Sequence, residues 1–275
     1  MIKDIVVSLG TGGNDPTAAF AISVAEIFEA HLAGVAVSYD PIIPGAVMGG
    51  IPTEFIETQR AESDKLANEA IARFEQGAKR SAISYETRTL STSVAGAADE
   101  LAKIARRFDL AIVGQANRDT AGPAEVVDEG VLFESGRPVI VVPFIQKDGL
   151  KLDRVMVCWD GSRAATRAIA DSMPFLRKAK QVEIVLVTSK GFKADEAPGA
   201  DLAKHLARHD LKITLKRITS PDIDVASTVL SYVADSSADM LVMGGYGHSR
   251  LREFVLGGVT RAILESMTVP TLMSH

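Results

Sequence analysis

The sequence predicts an α/β protein of two tandem, doubly wound, open parallel-sheet domains, and three observations carry that prediction. Short β-rich runs alternate with helix-length periodic segments, the pattern of βα units around a parallel sheet. The pattern occurs twice: Phe108-Asp109-Leu110-Ala111-Ile112-Val113-Gly114 and Ala238-Asp239-Met240-Leu241-Val242-Met243-Gly244 are each an Asp-led apolar strand ending in glycine, 130 positions apart. The length of 275 residues suits two domains of ordinary size.

The first module opens with Asp4-Ile5-Val6-Val7-Ser8, and its strands are expected near 3–9, 32–38, 84–89, 109–113 and 138–142. After its second strand, residues 40–52 are broken repeatedly by proline and glycine, which predicts a loop and suits a lid. A long, polar-rich helix should follow over about 53–80, where the second module has only a short segment. Arg137-Pro138-Val139-Ile140-Val141-Val142 forms a Pro-led last strand, and Ile145 to Lys151 is a short polar linker. The domains accordingly run over 1–146 and 152–275.

The second module opens with Asp153-Arg154-Val155-Met156-Val157, with strands near 154–159, 182–188, 212–218, 240–244 and 270–274. Continuous apolar character in Val182-Glu183-Ile184-Val185-Leu186-Val187 predicts a strand covered on both faces. Helices fall near 163–178, 198–209, 223–236 and 257–267, with Ser162 capping the first and Asp222 or Asp224 the third.

Composition narrows the function. A chain that is 47% apolar and 24% charged, with strand-sized apolar runs, is neither disordered nor membrane-spanning. A net charge of −5 argues against a nucleic-acid-coating protein. The charge is uneven: residues 1–150 carry 13 Lys and Arg against 21 Asp and Glu, a balance of −8, and residues 151–275 carry 17 against 14, a balance of +3. An anionic ligand should therefore prefer the second half. The single cysteine, Cys158, reads as a buried strand residue and excludes an intrachain disulfide. With no signal peptide visible at Met1-Ile2-Lys3-Asp4, a cytoplasmic location is expected.

Ligands of open parallel sheets bind at the carboxyl ends of the strands. The second module concentrates glycines there: Gly244-Gly245-Tyr246-Gly247 leaves the fourth strand, and Gly257-Gly258 leads into the next helix. Glycine lets backbone approach a ligand closely, and the N–H groups of Gly258, Val259 and Thr260 at a helix N-terminus suit a phosphate; an ordinary loop is the alternative. His248 lies within this loop, whereas His31, His205 and His209 read as surface residues at helix ends or on polar helix faces.

The spacing Gly244-x2-Gly247-x9-Gly257, together with Trp159-Asp160-Gly161-Ser162 after the first strand, resembles the signature of the universal stress proteins. The resemblance covers the second module, and the shared architecture of the first makes the chain similar to a tandem member. It implies Rossmann-like domains of the adenine nucleotide alpha hydrolase-like kind. It implies, too, an ATP-binding site, ATP coming with Mg²⁺: Asp160 at the adenine, Val187 and Thr188 flanking the base, Gly244 at the ribose, and Gly247, Gly257, Gly258, Val259 and Thr260 at the phosphates. One position departs: Gly258 stands where the family has Ser or Thr, which removes a hydroxyl and weakens the phosphate site. Arg250 and Arg252 are candidates to compensate.

The first module departs further. Gly114 is followed by Gln115-Ala116-Asn117-Arg118 without the next glycine, and Gly10-Thr11-Gly12-Gly13 offers no acid to match Asp160. This module is expected to pair with the second through the last strands, and a homodimer of the chain is a further expectation. The function expected is a stress-response sensor or regulatory module without efficient turnover. The alternatives are a structural or interaction protein of the same fold, or a weak ATPase.

Overall fold

The protein is described from a computed structural model over residues 1–13, 16–41, 52–116, 130–188, 199–219, 224–245 and 258–275. The expected lid loop falls almost wholly outside the described residues, as do Asp222, Gly247, His248, Arg250, Arg252 and Gly257. Two compact units emerge, one of Ile2–Arg137 and one of Pro138–His275 with Met1.

In the first unit, β1 (Asp4–Leu9), α1 (Pro16–Phe28), β2 (His31–Tyr39), α2 (Thr53–Arg80), β3 (Tyr85–Thr92), α3 (Val94–Ala105) and β4 (Leu110–Gly114) follow in order. The strands form a parallel sheet in the order β3-β2-β1-β4. Ile5, Val7, Leu32 and Ile112 are fully buried in it, as the continuous apolar runs require. His31 is not at a helix end: it opens β2, its Nδ1 lying 2.8 Å from the Ser84 hydroxyl.

The second unit begins with β5 (Val139–Val142) and continues through β6 (Arg154–Cys158), α4 (Arg163–Leu176), β7 (Gln181–Thr188), α5 (Ala200–Ala207), β8 (Ile213–Thr219), α6 (Val225–Ser236), β9 (Met240–Gly244), α7 (Gly258–Ser266) and β10 (Thr271–Ser274). Its strand order is β5-β10-β9-β6-β7-β8. All neighbours are parallel except β5 and β10, which run antiparallel with Thr271 opposite Val141 and Met273 opposite Val139. The strand pair expected from the sequence is therefore present.

The repeat is visible in hydrogen bonds as well as in sequence. The Asp109 carboxylate accepts from Asp4 N–H at 3.2 Å and also from Lys3 N–H at 2.8 Å, and the Asp239 carboxylate accepts from Arg154 N–H at 2.8 Å. Each aspartate thus ties the start of the fourth strand to the start of the first. The registers set Ile5 opposite Leu110 and Val155 opposite Met240, so Asp4 corresponds to Arg154, one residue beyond the match read from the sequence. No helix among the described residues is long and apolar enough to cross a membrane.

Candidate functional site

In the second unit the chain leaves β6, crosses to β7 and β8 on one side, and returns to β9 on the other. The boundary between β6 and β9 is thus a topological switch point, the place at whose carboxyl edge open parallel sheets bind ligands.

Asp160 stands at the exit of β6, exposed, with Oδ1 accepting the Ser162 N–H at 2.9 Å. Gly161 between them has φ +77°, a left-handed conformation that side-chain-bearing residues rarely adopt. Ser162 Oγ then accepts the Ala165 N–H at 3.1 Å, capping α4 as predicted. The Asp-Gly-Ser run is therefore a turn that launches a helix while holding a carboxylate at the sheet edge.

Val187 and Thr188 are the last two residues of β7, both half-buried, beside Ile218 and Thr219 of β8. Gly244 ends β9. A Cβ at Gly244 would meet Ala165 N at 2.5 Å and Ala164 C at 2.6 Å, so the close approach of α4 demands glycine here. The sequence reading missed this packing role. Its signal was the repeat: Gly114 ends β4 likewise, and a Cβ there would meet the Thr17 hydroxyl of α1 at 2.7 Å.

Gly258 opens α7, followed by half-buried Val259 and buried Thr260. Among the described residues nothing lies within 4 Å of where a Gly258 Cβ would sit. Gly247 and Gly257, the other two members of the predicted set, lie outside the described residues. Because α7 connects the parallel strands β9 and β10, its first turn lies at the carboxyl edge with Asp160, Thr188 and Gly244. Free N–H groups of such a turn attract anions.

Cys158, half-buried as the last residue of β6 rather than fully buried, adjoins the site. Desolvation and then the Asp160 carboxylate push its thiol up to about 12. His205 and His209 are exposed and stack edge to face at 5.1 Å. Among the described residues no group of three His, Cys, Asp or Glu could hold a metal.

The corresponding edge of the first unit is occupied by its own chain. Ser38, the counterpart of Thr188, donates to Asp64 Oδ1 at 2.6 Å, and Tyr39 N–H donates to Ser63 Oγ at 2.7 Å. Asp40 pairs with Arg60 at 2.6 Å. Gly10, the counterpart of Asp160, lies in a turn whose Gly12 carbonyl accepts from Arg73 at 2.8 Å. All four partners come from α2, which has 28 residues where α5 has 8.

Comparison with known proteins agrees with this division. Residues 151–275 match the description of the Universal stress protein family. A universal stress protein of Synechocystis sp. is 24% identical over 171 residues, covering 60% of this chain and 57% of that protein. A universal stress protein from Archaeoglobus fulgidus DSM 4304 superposes with a TM-score of 0.74 at 16% identity, covering 98% of this chain and 96% of that one. A functionally unknown protein from Pseudomonas aeruginosa PAO1 gives a TM-score of 0.66 at 12% identity, covering 99% and 92%. These two likenesses carry the fold, and the match to the universal stress protein family is confined to residues 151–275, the second module of this chain.

Proposed function

We propose that the second unit binds an adenine nucleotide, ATP accompanied by Mg²⁺, and serves as a sensor or regulatory module rather than a turnover enzyme. The observation that supports this most is convergence: Asp160, the end of β7, Gly244 and the first turn of α7 share one carboxyl edge at a switch point. The Asp160 carboxylate accepts hydrogen bonds only, which suits the amino group of adenine. Backbone at Val187 and Thr188 flanks the base. The N–H groups of α7 supply the dipole and donors for phosphate without a side-chain charge. Mg²⁺ binds through one or two protein ligands plus phosphates and water, so the lack of a three-residue cluster among the described residues is compatible with it.

A second reading has its own support. Asp160, Gly161, Ser162 and Gly244 each have a task in folding that needs no ligand, and Gly258 offers no hydroxyl to a phosphate. On this reading the chain is an interaction protein of the same fold.

Calorimetric titration with ATP and Mg²⁺ separates the two. The nucleotide reading expects saturable heat, lost in Gly247→Val and weakened in Asp160→Asn, which keeps the turn while removing the charge. No heat at millimolar ATP would leave the interaction reading. Phosphate release above a protein-free control would instead mean turnover.

A further inference from the structure

We propose that copies of this chain associate head to tail, with the acidic first turns of α2 in one copy laid along the basic β8 edge of another. Those turns have little to hold them within their own unit. From Thr53 to Glu62 only Ile56 is even half-buried, and Pro52 gives the helix start no side-chain cap. Helical turns without a packed face are marginal in water, so bare turns of this kind call for a surface. Phe55 and Leu66, both large and apolar, are 57% and 37% exposed there. Glu54, Glu57, Glu62 and Glu69 stand on the outward side of the helix, opposite the buried Ala67, Ala70 and Phe74. None of these four carboxylates has a cation partner among the described residues. Lys65 is the one unpaired cation between them, because Arg60 pairs with Asp40.

The second unit carries the complement. Residues 199–219 hold five Lys and Arg against two Asp, whereas the rest of 151–275 is balanced at twelve against twelve, so the +3 of the second half resides along α5 and β8. β8 ends the strand order and pairs only with β7 among the described residues, which leaves an outer backbone edge. Arg208, Lys212 and Arg217 are exposed there and have no acidic partner among the described residues. Lys216 is exposed as well, its ammonium 5.5 Å from the centre of the Tyr232 ring. Lysines on a bare edge hinder the addition of another strand, while a helix is one of the covers that such an edge accepts. The lengths agree: Glu54 to Glu69 spans about 22 Å of helix, and Lys212 to Thr219 about 23 Å of strand. None of these residues belongs to the candidate nucleotide site.

Sedimentation equilibrium of the full chain over a range of concentrations tests the docking. In about 50 mM salt the average mass should rise above that of one chain as concentration increases, and in about 500 mM salt it should fall back, because salt screens exposed charges. Glu62→Lys with Glu69→Lys, or Lys212→Glu with Arg217→Glu, should each weaken association about tenfold or more, since like charges then face each other. Both variants should keep the parent's melting curve, as substitutions at exposed positions ordinarily do. Mixing the two reversed chains should restore association to within about threefold of the parent, a rescue that damage to the fold would not give. A parent that stays monomeric at every concentration in low salt would leave the β8 cations as guards of a bare edge and overturn the docking. Association that neither reversal weakens would overturn it equally, by placing the contact elsewhere.

Discussion

Single residues at the candidate site divide into those the fold requires and those it leaves open. Gly244 is required: its missing Cβ would strike backbone atoms of α4, which cannot rotate away. Gly244→Ala should cost about 3 kcal/mol in urea unfolding, at the upper end for overpacking. Gly114→Ala should cost less, because the obstacle there is the Thr17 hydroxyl, a side-chain atom. Gly258 has open space among the described residues, so Gly258→Ser should change stability by less than about 0.5 kcal/mol. Its regained hydroxyl should tighten ATP binding by calorimetry.

Cys158 makes a further prediction. Since folding raises its thiol from 9.0 to about 12, the neutral thiol contributes stability that is complete below pH 9 and disappears as the pH climbs toward 12. At pH 7.5 the folded protein should react with iodoacetamide at about a tenth of the urea-unfolded rate or less, followed by mass spectrometry. Rapid labelling of the folded chain would contradict a desolvated thiol.

At the scale of elements, helix starts set the geometry of the site. Ser162 caps α4 and Asp224 caps α6, accepting from Ser227 N–H at 3.4 Å. Ser162→Ala should lower stability by about 1 kcal/mol in thermal or urea melts. It should also loosen the turn that carries Asp160. In the first unit, α2 is the distinguishing element. Asp64→Ala removes the acceptor of the buried Ser38 hydroxyl and should cost about 1–3 kcal/mol, with faster amide exchange over residues 53–63.

Strands, caps and the long α2 were legible because apolar periodicity and capping chemistry are local. The expected bounds of 53–80 for α2 coincide with its observed span. What α2 does was not legible, because Ser63, Asp64 and Arg73 meet Ser38, Tyr39 and Gly12 across 24 to 61 positions of sequence. No periodicity encodes such contacts. The opening strands were matched one residue out because both repeats begin with an aspartate, whereas the register is set where Asp109 N–H donates to Asp4 O and Asp239 N–H donates to Arg154 O, each at 2.9 Å. Gly244 was read for its ligand alone, since a motif does not reveal the helix behind it.

At the scale of the whole chain, the two repeats share strand order around the first strand yet treat their carboxyl edges differently. The first unit fills that edge with hydrogen bonds from α2. The second keeps Asp160 exposed and opens α7 with a glycine that no described residue obstructs. The charge balance of −8 against +3 points the same way, toward an anion in the second repeat.

Amide exchange of the whole chain with and without ATP and Mg²⁺, resolved by peptide, tests this division most directly. The account predicts slower exchange at 158–162, 186–188, 244–245 and 258–260, with no change at 9–13, 37–41 and 114–116. Protection confined to the first unit, or none at saturating ATP, would contradict it.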